Sequence, residues 1–202
     1  MAENIPLSLT SISVSSMDNN CYLLHDSHEG LLIDAADDAD ALIAMADRVG
    51  VRITAVLTTH RHWDHVRALP EVLERTGARH YASYLDAPAL PAPVDVELHN
   101  GDTLDFAGHA LPVFILRGHT PGGACLAVKL DGKAALFVGD SLFPGGVGKT
   151  NSEADFLKLI DDVTTRVFNI FSDDSVVYPG HGKPTTLGAE RPHLDEWRKR
   201  GW

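Results

Sequence analysis

Five of the chain's eleven histidines fall in short polar motifs that follow apolar runs. The densest is Thr58-Thr59-His60-Arg61-His62-Trp63-Asp64-His65. Composition alone gives an H-x-H-x-D-H pattern in about three such chains per thousand, so chance is a poor explanation. His60 and His62 are two residues apart. In an extended segment both imidazoles point the same way and can ligate one cation together. Asp64 and His65 follow where the chain is expected to turn into a helix, and the turn redirects them toward a second position. Asp64 also suits the N-cap of that helix.

Three further motifs share this placement. Arg117-Gly118-His119-Thr120-Pro121-Gly122-Gly123 follows the apolar run 111–116, and its glycines let the backbone approach a metal or ligand closely. Phe137-Val138-Gly139-Asp140-Ser141 closes another apolar run, and the two oxygens of Asp140 can touch two cations. Tyr178-Pro179-Gly180-His181-Gly182 follows a third. Each motif is weak alone. Together they predict ligands at strand ends, along one edge of a sheet scaffold.

The scaffold is legible in outline. The pattern predicts a strand over Ile5–Ser13, then a hairpin of Cys21–Leu24 and Leu31–Ile33. A helix over Ala39–Val49, stopped by Gly50, leads to a β-branched strand, Val51–Thr58, that runs straight into His60. A helix over Asp64–Thr76 ends at Gly77. A short strand at Arg79–Ala82 and a Pro-rich loop at Ala87–Pro93 come next. Strands follow at Val94–Leu98, Thr103–Phe106, Leu111–Leu116, Ala124–Leu130 and Ala134–Val138, punctuated by turns at Asn100-Gly101 and Asp131-Gly132. The chain closes with a helix over Glu153–Phe171, a strand at Ser175–Tyr178 and a terminal helix, Arg191–Trp202. Strands with helices in both halves suggest sheets covered by helices on their outer faces.

Composition excludes several classes. With 202 residues and 44% hydrophobic residues, the chain can build one well-buried core, so a single domain over 1–202 is expected. Its net charge of −11 disfavours nucleic acid as a partner. The start, MAENIPLSLT, lacks the basic and apolar regions of a secretory signal, and the leading Met argues against a removed one. No stretch approaches the ~18 apolar residues of a membrane span, so a cytoplasmic location is expected. Cys21 and Cys125 make no C-x-x-C pair and sit in apolar runs, which predicts buried free thiols rather than a thiolate metal site. The oligomeric state leaves no trace in the sequence.

In this order the four motifs resemble the metallo-β-lactamase superfamily over roughly residues 10–190, with NCYLL, LLIDA and GDSLF as further matching stretches. The resemblance implies an α/β fold, a four-layer αββα sandwich of two mixed sheets with two divalent ions in a groove at one edge. It implies one ion on His60, His62 and His119, another on Asp64, His65 and His181, and Asp140 bridging them. An Asp at 140 resembles the glyoxalase II group rather than the β-lactamases that carry Cys there. The stretch FPGGVGKT, residues 143–150, resembles the same group and implies that Lys149 meets the carboxylate of a thiol substrate. Two departures stand out. The chain ends about twenty residues after His181, where glyoxalase II carries a helical domain with glutathione contacts. The aromatic residues of that group near Lys149 and after the last histidine are missing, and Asn151 and Lys183 stand nearby.

The expected activity is hydrolysis of a thioester or ester of a small molecule. Two cations ~3.5–4 Å apart lower the pKa of a shared water from ~15.7 toward ~7 and so supply a hydroxide nucleophile, which Asp64 orients. A thiolate leaving group, with a conjugate acid near pKa ~8.5, departs without a general acid. Imidazole and carboxylate ligands suit zinc, iron and manganese, and zinc is expected for a hydrolase. No G-x-S-x-G motif points to a serine nucleophile. The runner-up is a persulfide dioxygenase with one iron, although GVGKTNSEAD, residues 146–155, lacks the arginine-centred pattern of that group. A lactonase comes next. An inactive metal-binding module is disfavoured because all seven ligand positions are filled.

Overall fold

A computed structural model describes residues 6–201. Ile5, where the first predicted strand begins, the first half of the stretch read for a signal segment, and Trp202 lie outside the described residues. The first half forms β1 (Ser8–Val14), β2 (Asn19–His25), β3 (Glu29–Ile33), α1 (Ala39–Arg48), β4 (Arg52–Thr58), α2 (Leu69–Thr76), β5 (Arg79–Ser83) and β6 (Val96–Leu98). Its strands make a six-stranded sheet in sequence order, antiparallel from β1 to β3 and parallel from β3 to β6.

The second half continues with β7 (Thr103–Phe106), β8 (His109–Leu116), β9 (Gly123–Leu130), β10 (Lys133–Gly139), β11 (Leu142–Phe143), β12 (Gly146–Val147), α3 (Glu153–Val163), β13 (Val176–Pro179), β14 (Thr185–Thr186), α4 (Leu187–Glu190) and α5 (Leu194–Arg200). The second sheet has the order β14-β13-β10-β9-β8-β7, and β11 pairs with β12 as a separate hairpin. β8, β10 and β13 point the same way, because β9 is antiparallel to both β8 and β10 while β13 is parallel to β10.

Side-chain alternation divides the interior into three apolar layers. Along β2, Tyr22 and Leu24 face the second sheet, and Cys21 and Leu23 face α1 and α2. Along β9, Ala124, Leu126 and Val128 face inward, and Cys125 and Ala127 face α3 and α5. The result is the four-layer αββα sandwich that the resemblance implied. The cysteines lie on opposite outer layers, buried and free, and burial pushes both thiols up to about 12.

One expectation needs correction. The helix predicted to start at Asp64 starts at Leu69. Residues Trp63–His65 form a single 3-10 turn instead, with His62 at its N-cap position. Pro70 fits only the first turn of a helix, where no amide proton is needed. Asp64 caps no helix; its carboxylate accepts from Asn19 Nδ2 at 3.0 Å. The helix predicted over Glu153–Phe171 is α-helical to Val163 and continues as a π-helical turn, Thr164–Phe168. The hairpin β11–β12 carried no sequence signal strong enough to predict it.

Candidate metal centre

Every segment of interest leaves the carboxyl end of a strand. Asp34 follows β3, residues 60–65 follow β4, Asp86 follows β5, His119 follows β8, Asp140 follows β10 and His181 follows β13. Parallel alignment brings these ends to one rim. Backbone bonds tie the two sheets together there, from Ala124 N to Thr59 O at 2.7 Å and from Asn20 N to Gly180 O at 2.8 Å. At the end of β10 the ladder to β13 skips a residue between Phe137 and Gly139. That bulge, with Gly139 at φ 51°, turns Asp140 into the rim.

The structure brings all seven predicted residues into one cluster. His60, His62 and His119 can present ligand atoms within 4.8 Å of one another, and so can Asp64, His65 and His181. Asp140 stands between the two groups. Its Oδ2 lies 3.6 Å from His119 Nε2 and 3.4 Å from His181 Nε2, and its Oδ1 lies 3.5 Å from His65 Nε2. Gly180 leaves room for this approach, since a Cβ there would press on Asp140 Oδ1 and His65 Cε1.

The hydrogen bonds behind the cluster fix the tautomers. His119 Nδ1 meets the Lys149 carbonyl at 2.6 Å, and His181 Nδ1 meets the Met17 carbonyl at 2.8 Å. A carbonyl only accepts, so both Nδ1 atoms carry protons and both Nε2 atoms present lone pairs. His65 Nδ1 donates to Asp34 Oδ2 at 2.9 Å. The Thr59 hydroxyl donates to the same Oδ2 at 2.7 Å, so Thr59 Oγ1 is left to accept from His60 Nδ1 at 3.0 Å. Four imidazoles therefore aim Nε2 into one space.

A cation fits what is found there. His60 Nε2, His119 Nε2 and Asp140 Oδ1 are buried with no hydrogen-bond partner. The Nε2 atoms of His65 and His181 face each other at 3.1 Å, a separation that two lone pairs tolerate only with a positive charge between them. In the metal-free protein a proton takes that role. Burial disfavours charge on His65, but the carboxylate of Asp140 nearby and the hydrogen bond to Asp34 outweigh it and push its pKa up to about 10. His181 is raised as well, mainly by Asp140. Burial works against the charge of Asp140, yet His181 and His65 hold its carboxyl well below the usual carboxylate range. His60, fully buried and beside other imidazoles, is held well below the ordinary histidine value.

A family model described as the metallo-beta-lactamase superfamily matches residues 17–181, most of the chain and all seven clustered residues. The chain belongs to the metallo-β-lactamase superfamily. Within this superfamily it is similar to a hydroxyacylglutathione hydrolase of Fuscovulum blasticum, at 40% identity over 134 residues that cover 65% of this chain and 51% of the relative. The matched part thus spans about half the length of that relative. Similarity to the hydroxyacylglutathione hydrolase GloC of Haemophilus influenzae is weaker, at 28% identity, but covers 92% of this chain and 95% of the relative. Among solved structures, BLEG-1 B3 metallo-beta-lactamase superposes with a TM-score of 0.84 at 26% identity, covering 93% of this chain and 98% of that one.

Three neighbours of the superfamily cluster escaped the reading of the sequence. Asp34 lies in LLIDA, a stretch noted only for its resemblance. It is buried, adopts φ 61° and accepts from Thr59 N, Thr59 Oγ1 and His65 Nδ1. Asp34 also lies within ligand range of His60 and His65, but these bonds already occupy its oxygens. Asn19, beside NCYLL, is fully buried and holds Asp64. Asp86 accepts from the backbone of Arg61 at 3.0 Å and of Gly122 at 3.1 Å, which joins the 60–65 segment to the His119 loop. Lys149 is exposed, and the contact it makes to the cluster is through its carbonyl.

Proposed function

We propose that the chain is a hydrolase of small-molecule thioesters, akin to hydroxyacylglutathione hydrolases, and works with two divalent cations, most simply zinc. His60, His62 and His119 would hold one and Asp64, His65 and His181 the other, with Asp140 within reach of both groups. The observation that carries this reading is the set of buried, unpartnered atoms, His60 Nε2, His119 Nε2 and Asp140 Oδ1, facing the His65–His181 pair. Divalent cations at such a site make a water nucleophilic at neutral pH and polarise a carbonyl. The chain's own residues supply orientation. Asn19 donates to Asp64 Oδ2 and fixes the carboxylate, so that Asp64 can orient the nucleophile. Asp34, Met17 O and Lys149 O keep protons on the Nδ1 atoms of His65, His181 and His119 and thereby keep each Nε2 free. Lys149 is assigned to a charged end of the substrate.

The occupant of the site is a small molecule. The net charge of −11 disfavours nucleic acid, and no helix among the described residues is long and apolar enough to cross a membrane. Cytoplasmic location and a single domain belong to the same proposal. Metal analysis of the purified chain, run with thioester-hydrolysis and oxygen-uptake assays, tests it. Two equivalents of metal and thioester turnover are expected. One iron per chain with oxygen consumption would replace this reading with the dioxygenase.

A further inference from the structure

A cleft of about 510 Å³ opens beside His62 and His119, bounded in part by Arg61, Tyr84, Leu85, Arg117, Asn151 and Lys158. Three cations line it, and two are already committed. Arg117 makes two bonds of 2.8 Å to the buried carboxylate of Asp162. Lys158 pairs at 3.2 Å with Asp155, which lines the same cleft. Arg61 differs. Its backbone N–H is fixed by Asp86, while its exposed guanidinium makes no ion pair or hydrogen bond with any described residue.

Arg61, between His60 and His62 in the sequence, lines the cleft together with His62 and His119, on a chain whose net charge is −11. An acidic surface repels anions at long range, so holding an anion here requires a short-range, bidentate donor. A guanidinium supplies that for a carboxylate. The cleft has the volume of sites that hold whole small molecules, more than a two- or three-carbon acyl group fills, so it suits the thiol portion of a thioester. Tyr84, stacked on His99 at 4.3 Å, offers that portion a flat wall.

We propose that this cleft takes a thioester whose thiol portion carries a carboxylate, and that Arg61 binds that carboxylate and determines the preference for it. The inference rests on the thioesterase reading for the reaction, but not for the binding.

The test uses the metal-loaded full chain with Arg61→Ala, Arg61→Lys and Lys149→Ala. Three substrates are compared: the lactoyl thioester of glutathione, the lactoyl thioester of N-acetylcysteamine, which is neutral, and the succinyl thioester of N-acetylcysteamine. Calorimetry measures binding of S-propylglutathione, which cannot be hydrolysed, and of its dimethyl ester. Arg61→Ala is expected to lower the preference for the glutathione thioester over the neutral one about tenfold, through KM. It is also expected to weaken S-propylglutathione about tenfold and its ester far less, with Arg61→Lys in between. Wild-type protein that binds S-propylglutathione through Arg61 but hydrolyses no thioester would sink the thioesterase reading and leave this one standing. Equal effects on charged and neutral ligands, an effect confined to the succinyl thioester, a loss caused by Lys149→Ala alone, or no binding by the wild type would overturn it.

Discussion

Asp34 Oδ2 accepts the Nδ1 proton of His65 at 2.9 Å while also accepting the Thr59 hydroxyl that in turn receives His60 Nδ1. One buried carboxylate thus orients an imidazole in each half of the cluster. Asp34→Asn is the informative change, because Asn tolerates the left-handed φ of 61° at this position. Its amide cannot accept every bond the carboxylate does. Affinity for both metal equivalents is expected to fall about 10–100-fold, as read by competition with a chromophoric chelator. Weakening of one equivalent only would contradict the shared role.

Metal must displace a proton here. The pKa of His65, pushed up to about 10, lies above its ordinary value. The free protein is therefore protonated at neutral pH, and apparent metal affinity is expected to rise with pH until that proton is gone. Calorimetric titration in buffers of different ionisation heat should show proton release at pH 7. Stability follows the same sign. A raised folded pKa stabilises fully below about 6.5 and loses that contribution as pH climbs through about 10. The metal-free protein should lose thermal stability across this window, and the loaded protein should lose much less.

His62→Ala and Asp140→Ala should each lose metal and thioester turnover together, with far-UV circular dichroism unchanged. Both residues sit at the rim and not in the apolar layers, so the fold does not depend on them. Retained turnover in either variant would refute the role assigned to that residue.

The cluster was legible because its members are chemically distinctive and follow apolar runs that can be read as strands. The order of strands and helices suggested sheets covered by helices on their outer faces, and the four-layer sandwich came through resemblance. What the sequence hid was conformational and long-range. Nothing local marks Asp34 as left-handed, or Asn19 as the partner of a residue 45 positions away. The helix start at Asp64 was misread because a short polar residue before an apolar run looks the same whether it caps a helix or turns toward a cluster. Arg61 reads locally as an ordinary surface arginine, and only the commitment of Arg117 and Lys158 to acidic partners singles it out.

Asn19→Ala and Asp86→Ala should separate the two halves of the cluster. Asn19 holds Asp64, in the half formed with His65 and His181. Asp86 binds the backbone of Arg61 and Gly122, on the two segments that carry His60, His62 and His119. Each variant should weaken one metal equivalent of two, in contrast to Asp34→Asn, which touches both halves. Asp86→Ala should also destabilise the metal-free fold, since it strands two backbone donors at about 1–3 kcal/mol each where they are buried. Denaturant unfolding reads that loss. Stepwise metal titration reads the split, and a variant that weakens both equivalents alike would show that the halves do not bind independently.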